Sequence, residues 1–369
     1  MTIAKGDDES AANSMIQLES MSASAASDSD LEYSDHSKLP AEPRVSIAMI
    51  TYQHGPFIKE ALDSVLGQKV DFPYEICIGE DGSTDGTRET CLEYVKKHPD
   101  KIRLFLRNRS NPARESFHAP YMLNAAATFD ACRGKYIAML EGDDYWQDVH
   151  KLQRQVDQLE SDPALAASCH YASCVDENRA AAGKILPEYP IEFFTIENIL
   201  KRDVGNLHTS TWLLRRGKPM PWEKFRSSSF GDYPVIVWAM LQGTARVFPG
   251  TWSAYRIHRG GVFSPLSDEI RLQKNVELWK CLESITPPHL HSAVVIGTIR
   301  TLIMFTAVFS KAGNYSKALK CFRRTMTEIA RLPSSVPERR QLWWRAVESL
   351  ILPRLQGARN RWNQRKVWQ

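Results

Sequence analysis

The chain has 369 residues, of which 43% are hydrophobic and 24% are charged, and its net charge is +4. These values are typical of a soluble globular protein with one large domain or two ordinary ones. No run reaches the roughly 18 apolar residues of a membrane-spanning helix, which argues against an integral membrane protein. The nearest candidate, residues 294–309, contains Arg300 and is interpreted as a core or surface helix.

The cysteines and the N-terminus indicate a reducing compartment. Seven cysteines are scattered along the chain without a CxxC pair, which argues against a structural zinc site. The first residues, MTIAKGDDESAANSM, lack the basic and then apolar layout of a signal peptide. We therefore expect a cytoplasmic protein.

The elements in chain order begin with an acidic tail. Residues 1–43 are rich in Ser, Ala and Asp, and residues 1–40 carry eight acids against two bases, so we expect this tail to be disordered. After it, strands and helices alternate, starting with a strand, over residues 45–52, 56–68, 74–81, 84–98, 102–107, 119–132 and 136–141. The strands recur about every 30 residues, which predicts an α/β fold with a mainly parallel sheet sandwiched by helices.

Acidic residues gather where two of these strands end. Asp81 follows the second strand, and Glu141, Asp143 and Asp144 follow the fourth. Ligands of such sheets bind outside the carboxyl ends of the strands, so these acids face one crevice. Three acids within four residues repel each other unless a cation is bound, which favours a divalent metal at Asp143 and Asp144 over acid–base work. The alternative is a solvated polar loop.

Three segments resemble the family 2 glycosyltransferases with the GT-A fold: VSIAMITYQHGPFIKEALDSVLGQ, GEDGSTDGT and ACRGKYIAMLEGDDYW. The resemblance covers residues 44–265, whereas the GxGxxG and GxxxxGK[ST] motifs are missing. It implies an enzyme that uses a nucleotide-activated sugar, usually requires Mn²⁺ or Mg²⁺, and inverts the anomeric carbon.

The resemblance also assigns roles to the residues that match the family's motifs. It implies that Asp81 bonds to the nucleotide base, typically to uracil N3–H, and that Asp144 binds the metal. It places these further residues at the nucleotide: Ile50, Thr51, Tyr52, Asn124 and Asp143, the last of which also matches the metal motif. The sequence departs from the family at Glu141, where Asp is more common, and the longer side chain puts direct coordination by Glu141 in doubt.

The second half of the matching region supplies candidates for the acceptor side. Asp232 in GDYP resembles the family's second acidic motif and is the candidate general base, with helix capping as the alternative role. Arg256 and His258 in YRIHRGG are candidates for a contact with the phosphates or the metal. Trp146 either stacks on a sugar or belongs to the core.

The C-terminal third is predicted to be helical. Residues 266–333 form a helical extension, and residues 334–369 form a basic tail with eight bases against two acids and four tryptophans. This composition suits peripheral contact with an anionic membrane, although a helix packed on the catalytic domain explains it equally well. Arginines with aromatics also bind RNA, but no nucleic-acid-binding fold is visible, so no nucleic-acid partner is expected.

The sequence thus predicts a metal-dependent inverting glycosyltransferase of the hexosyltransferase type. Its donor would be a nucleotide sugar, UDP-linked, and its acceptor a glycan or a lipid-linked sugar in the synthesis of cell-surface polysaccharide or glycoconjugate. Two alternatives remain open at this level: a non-catalytic nucleotide-sugar-binding or scaffold protein of the same fold, and a sugar nucleotidyltransferase.

Overall fold

The computed structural model describes residues 30–117, 119, 121–185, 192–203, 208–261 and 266–366. Its strands are β1 Leu31–Tyr33, β2 Val45–Thr51, β3 Tyr74–Glu80, β4 Ile102–Leu106, β5 Tyr136–Glu141, β6 Tyr145–Trp146, β7 Leu165–Val175, β8 Ala181–Ile185, β9 Phe193–Phe194, β10 Leu213–Arg215 and β11 Thr244–Arg256. Its α-helices are α1 Ile58–Leu66, α2 Thr87–Lys97, α3 Met122–Ala131, α4 Lys151–Ser161, α5 Ile196–Leu200, α6 Trp222–Phe225, α7 Asp232–Met240, α8 Asp268–Ile285, α9 His291–Lys311, α10 Tyr315–Arg331 and α11 Arg339–Lys366. Short 3-10 helices cover Pro112–Ser116, Thr209–Thr211 and Pro288–Leu290.

The first half of the sheet confirms the predicted α/β fold. Strands β4, β3, β2 and β5 lie side by side in that order and are parallel. Their side chains are almost continuously buried, as expected of parallel strands covered on both faces. The carboxyl ends of these strands therefore meet at one edge, where Asp81 and the acids after β5 lie.

Several predicted helices and strands extend one to three residues beyond the ends observed in the structure. Helix α2 begins at Thr87 rather than at residue 84, because the turn before it contains two glycines with left-handed backbone. Gly82 has a φ of 77° and Gly86 a φ of 94°, a conformation that glycine adopts at no steric cost. The loop between β3 and α2 therefore turns at these two glycines before the helix begins.

One strand lies inside the segment that we expected to be disordered. Residues 1–29 fall outside the described residues, but β1 pairs antiparallel with β4, with Leu31 opposite Leu106. Glu32 on β1 accepts a hydrogen bond of 2.9 Å from Nε of Arg103. The prediction of disorder is wrong for the residues of β1, because the ion pair between Glu32 and Arg103 fixes a strand that has little apolar surface.

The second half of the sheet is mixed. The short strand β10 lies between β5 and β7 and is antiparallel to both, with Leu213 opposite Ala138 and Ser168. Strand β11 is parallel to β7 and antiparallel to β6. This arrangement carries residues beyond 200 to the end of β5, where the acids lie.

The C-terminal helices α8–α11 follow the sheet domain, as the predicted helical extension requires. Within the described part of the chain, one helical stretch, Pro288–Lys311, has the length and composition to cross a bilayer, and 61% of its most apolar window is buried in the protein. It packs as a core helix against α8, α10 and α11. All seven cysteines are described, and each is buried and without a disulfide.

Candidate active site

The loop after β5 is tied to the end of β2. Gly142 donates its backbone N–H to the carbonyl of Ile50 at 2.9 Å. A Cβ at Gly142 would lie 2.5 Å from Oγ1 of Thr51, so only glycine allows this close approach. The loop is thereby fixed beside Ile50 and Thr51, two of the residues predicted to line the nucleotide pocket.

Three side chains at this edge form a group that could hold a metal. One ligand atom each from Glu141, Asp144 and His208 lies within 4.8 Å of the others. Oε2 of Glu141 is buried and has no hydrogen-bond partner among the described residues. Carboxylate oxygens and an imidazole are ligands that Mn²⁺ accepts. The group therefore fits a divalent cation, and the orphaned oxygen of Glu141 is the specific sign of it.

The two ring nitrogens of His208 have different partners. Its Nε2 lies 3.5 Å from Oδ2 of Asp144, and its Nδ1 lies 2.9 Å from Oγ of Ser210. Nδ1 also accepts the backbone N–H of Ser210 at 3.3 Å, which favours the ring proton on Nε2, toward Asp144. Coordination through Nε2 would require that proton to leave or to move to Nδ1. The ring also packs against Tyr255 with centroids 4.4 Å apart, which fixes its orientation.

The electrostatics of the acids also favour a cation. Burial, together with Asp143 and Asp232, raises the pKa of Glu141 to about 8. Burial and the neighbouring carboxylates raise the pKa of Asp144 well above its ordinary value, and burial lowers the pKa of His208 to about 4. Like charges in a buried site hinder each other's ionisation, and a divalent cation would relieve that repulsion.

Asp143 engages a different set of partners. Its Oδ2 lies 3.0 Å from Nε2 of His258 and 3.5 Å from Nε2 of His54. Burial would raise the pKa of Asp143, but the two imidazoles lower it below the ordinary value. The structure thus places Asp144 in the three-residue group, together with Glu141, the member expected least, and gives Asp143 two histidine partners.

Arg256 supports the acidic loop from behind. Its backbone N–H donates to Oδ1 of Asp144 at 2.8 Å, and its Nε donates to the carbonyl of Asp143 at 2.9 Å. Its Nη2 donates to Oε2 of Glu60 at 2.7 Å, and the guanidinium lies 4.7 Å from the ring of Phe57. Arg256 is buried by these contacts, so the structure gives it a positioning role in place of the expected donor contact.

Two residues predicted to contact the ligands, Trp146 and Asn124, are buried inside the protein. Trp146 is only 4% exposed, donates its indole N–H to the carbonyl of Ser210 and covers Nζ of Lys151. It therefore belongs to the core, which was the alternative interpretation. Asn124 is also buried, and its amide donates to the carbonyl of Gly79 and accepts from Arg107. Asn124 thus fixes β3 rather than facing a ligand.

Asp81 lies at the predicted base-binding end and is held by two arginines. Its carboxylate accepts from Nη1 of Arg109 at 3.1 Å and pairs with the guanidinium of Arg114. The guanidinium of Arg109 stacks on the ring of Tyr52, 3.9 Å from its centroid. A carboxylate offers about four acceptor positions, so Asp81 retains capacity for a further N–H donor.

The carboxylate of Asp232 is linked to the same site by a hydrogen bond from the hydroxyl of Thr209. Oγ1 of Thr209 donates to Oδ2 of Asp232 at 2.9 Å, and Thr209 directly follows His208 of the three-residue group. Helix α7 begins at Asp232, but no side chain caps it. The capping alternative is therefore not what the structure shows, and the carboxylate is directed to Thr209.

The sequence interpretation missed several residues of this site: His54, Arg109, Arg114, His208 and Thr209. The two arginines follow β4 at its carboxyl end, which is where a parallel sheet binds its ligands. His208 and Thr209 precede the three-residue strand β10, whose pairing with β5 was not visible. Their one signal is the polar run HTST before the apolar residues 212–214.

A cavity of about 470 Å³ adjoins the histidine side of Asp143. It is lined by Gln53, Pro56, Phe57, Asp85, Glu177, Asn178, His258 and Gly260. A second cavity, of about 690 Å³, lies among Arg44, Arg133, Lys135 and Arg216. These residues flank the amino ends of β2 and β5, so the smaller cavity is the one that belongs to the acidic edge.

Comparison with known proteins agrees with this geometry. Residues 46–218 match the family model for glycosyl transferase family 2. An uncharacterized protein of Mycobacterium tuberculosis (strain ATCC 25618 / H37Rv) is 28% identical over 228 residues, which are 59% of this chain and 60% of that protein. An uncharacterized glycosyltransferase of Nostoc sp. is 32% identical over 223 residues, 58% of this chain and 65% of that protein. The chain thus spans less than two thirds of these relatives' lengths.

A solved structure shows the same fold. The crystal structure of S. aureus TarS 1–349 in complex with UDP-GlcNAc matches with a TM-score of 0.56 at 14% identity, over 86% of this chain and 92% of that chain. At this identity the likeness concerns the fold, which is of the GT-A type. Residues 46–218 thus resemble glycosyl transferase family 2, and the fold agrees with that resemblance.

Proposed function

We propose that the protein is a metal-dependent, inverting glycosyltransferase that moves a sugar from a nucleotide donor to a hydroxyl of a glycan or lipid-linked acceptor. One observation carries the proposal: Thr209, which follows His208 of the three-residue metal group in the chain, donates a hydrogen bond of 2.9 Å to Asp232. In a single displacement the base and the leaving diphosphate flank the same sugar, and the closeness of Asp232 to the proposed metal group supports these roles.

The donor is assigned to the edge between β2 and β3. Asp81 would accept N3–H of a uracil base, with Tyr52 and Arg109 as the neighbouring planar groups. Arg109 and Arg114 fix the carboxylate before the donor arrives, so little side-chain entropy is lost on binding. A carboxylate at this position needs a donor on the base, which N3–H of uracil supplies and N1–H of guanine would also supply, so the choice of UDP rests on the family resemblance.

Glu141, Asp144 and His208 would hold Mn²⁺ or Mg²⁺. The bound cation would neutralise the charge that develops on the leaving nucleoside diphosphate. Asp143 is fixed by His54 and His258 and would adjoin the nucleotide. Arg256 keeps both aspartates in place through their backbone and side-chain oxygens.

Asp232 would act as the base. The acceptor oxygen forms its bond to the anomeric carbon while the bond from that carbon to the diphosphate oxygen breaks. The proton of the acceptor hydroxyl goes to Asp232, and the nucleoside diphosphate leaves with the electron pair. Because the base and the leaving group lie on opposite sides of the sugar, the configuration inverts.

The acceptor and the pathway rest on the family. We assign the protein to hexosyl transfer in the synthesis of cell-surface polysaccharide or glycoconjugate, in the cytoplasm. A lipid-linked acceptor fits a protein that also meets a membrane surface.

A donor screen tests the proposed function. UDP-sugars and GDP-sugars are incubated with the full chain and Mn²⁺, with and without excess EDTA, and release of the nucleoside diphosphate is measured. We expect slow hydrolysis of one UDP-hexose, lost with EDTA and lost in Asp144→Asn. Binding of a donor without any turnover would indicate the scaffold alternative. Pyrophosphate released from a nucleoside triphosphate and a sugar phosphate would indicate a nucleotidyltransferase.

A further inference from the structure

Helix α11 packs on the rest of the protein through one face. Leu342 and Ala346 are buried in a cluster with Val295 and Ile299 of α9 and with Ile329 of α10. Leu342 and Ala346 are four residues apart and so lie on one side of the helix. This side of α11 therefore packs on the helical extension, whereas the packing expected as one alternative for the basic tail was on the catalytic domain.

The opposite face of α11 exposes large apolar side chains. Trp344 is 53% exposed, Ile351 45% and Leu352 50%. Trp344 and Ile351 are seven residues apart, which places them about 20° apart around the helix, whereas the buried Ala346 lies about 200° from Trp344. Trp343 adds a second exposed ring, edge-on to Trp344 with centroids 4.9 Å apart. Apolar residues grouped in this way on one surface mark a binding site.

Positive charge predominates in helix α11 up to residue 353 and in the neighbouring helix α10. Residues 315–353 contain eight lysines and arginines against three glutamates, a net of +5. Lys317 pairs with Glu269, and Arg331 pairs with Glu283 and Glu328. The remaining six bases have no ion pair within the described part of the chain: Lys320, Arg323, Arg324, Arg339, Arg340 and Arg345. Such unpaired cations are available to anions outside the protein.

We propose that the outer face of α11, formed by Trp343, Trp344, Ile351 and Leu352 with Arg340 and Arg345, binds the surface of a bilayer that contains anionic phospholipid. Tryptophan is suited to the boundary between headgroups and acyl chains, where its ring is apolar and its N–H is solvated. The arginines reach the lipid phosphates while their stems lie along the apolar surface. The inner face of α11 stays packed on α9, so the protein lies on the membrane and does not span it.

Charge complementarity selects this occupant over two others. On this face Arg340 and Arg345 outnumber the exposed Glu348, so a second copy of the chain would bring two faces of net positive charge together, and like charges oppose such a symmetric contact. A nucleic acid would satisfy the arginines but would leave Ile351 and Leu352 without apolar partners. Only an anionic membrane provides phosphates and hydrocarbon at adjoining depths. The inference is independent of the proposed transferase activity.

Vesicle co-sedimentation of the full chain tests this proposal. Phosphatidylcholine vesicles are compared with vesicles that contain about 30 mol% phosphatidylglycerol, at low and high salt. We expect binding to the anionic vesicles only, weakened by salt because the arginine contacts are screened. The double variant Trp344→Ser, Ile351→Ser should reduce the partition coefficient about tenfold or more. The control Ile270→Ser, at a residue on α8 that is 45% exposed, should bind like the parent.

A second pair of variants separates the two contributions. Arg340→Gln, Arg345→Gln should lower the affinity for anionic vesicles and flatten its salt dependence, with the thermal melting temperature unchanged. Equal binding to neutral and anionic vesicles would overturn the charge complementarity. Unchanged binding of the Trp344/Ile351 variant would overturn the assignment to α11. A dimer in light scattering that this variant dissociates, without vesicle binding by the parent, would assign the face to a second copy.

Discussion

Nε2 of His258 lies 3.0 Å from Oδ2 of Asp143, and this contact joins the end of β11 to the acidic loop after β5. His54, from the loop after β2, approaches the same oxygen to 3.5 Å. The carboxylate that the acidic motif would offer to a cation therefore has two imidazole partners already. Glu141, by contrast, has a buried oxygen without one.

The first prediction compares these two acids as metal ligands. Glu141→Gln should weaken Mn²⁺ binding about tenfold or more, because it removes a ligand charge from the three-residue group. Asp143→Asn should weaken it less, because that carboxylate is bonded to histidines. Calorimetric titration of the full chain with Mn²⁺ measures both. A larger loss in Asp143→Asn than in Glu141→Gln would show that the histidines release Asp143 to the cation.

The second prediction concerns the base-binding end. Asp81→Asn should lower donor affinity about tenfold or more, since an amide pairs less well with the two arginines and accepts N3–H less strongly. Mn²⁺ binding without donor should stay unchanged, because Asp81 lies at the end of a different strand. Thermal shift with UDP measures the first effect and calorimetry the second. Glu93→Gln, on the exposed side of α2, is the control and should match the parent in both.

The third prediction tests the base. Asp232→Asn should lower the rate of sugar transfer by about two to four orders of magnitude, the usual contribution of a positioned base. Donor and metal affinity should change little, because Asp232 is not among the three metal-binding side chains. Thr209→Val should lower the rate by a smaller factor, since it removes only the hydrogen bond that orients Asp232. A variant Asp232→Asn with full transfer activity would exclude this residue as the base.

The parallel half of the sheet was predictable because its signal is local. Each strand of β2 to β5 is an apolar run followed by a turn and an amphipathic helix, so the period alone gives the order of elements. Asp81 and the acids after β5 then follow from the rule that ligands bind at carboxyl ends. The comparison with solved structures confirms the fold class.

The second half of the site was not predictable in the same way. His208 meets Asp144 because β10, with only three residues, inserts between β5 and β7 in antiparallel orientation. Strands this short carry no periodic signal, and the pairing of β10 with β5 spans more than sixty residues of sequence. The inward direction of Trp146 likewise depends on its hydrogen bond to Ser210, a partner 64 residues away.

The fourth prediction concerns β1, which lies outside the family match. A chain that begins at residue 34 should be less stable than one that begins at residue 30, by roughly 1–3 kcal/mol, because Arg103 and Arg107 lose Glu32 and Asp30. Urea denaturation measures the difference in the free energy of unfolding. The two chains differ only by Asp30 and strand β1. Equal midpoints would show that β1 contributes no stability. Glu32→Gln in the full chain should reproduce part of the loss.

The last prediction is a pH dependence set by Lys151. This side chain is fully buried, with Nζ 2.8 Å from Oε1 of Gln155, and burial lowers its pKa well below the ordinary value. Between that lowered pKa and about 10.4, the unfolded chain holds a proton that the folded protein does not, so the free energy of unfolding rises with pH. Lys151→Met removes this proton linkage. As the pH rises within that window, the free energy of unfolding of the parent should therefore increase relative to that of Lys151→Met by about 1.4 kcal/mol per pH unit. Denaturation curves at several pH values measure it, with the exposed Lys97→Met as control, and parallel pH profiles for parent and Lys151→Met would contradict the buried, neutral lysine.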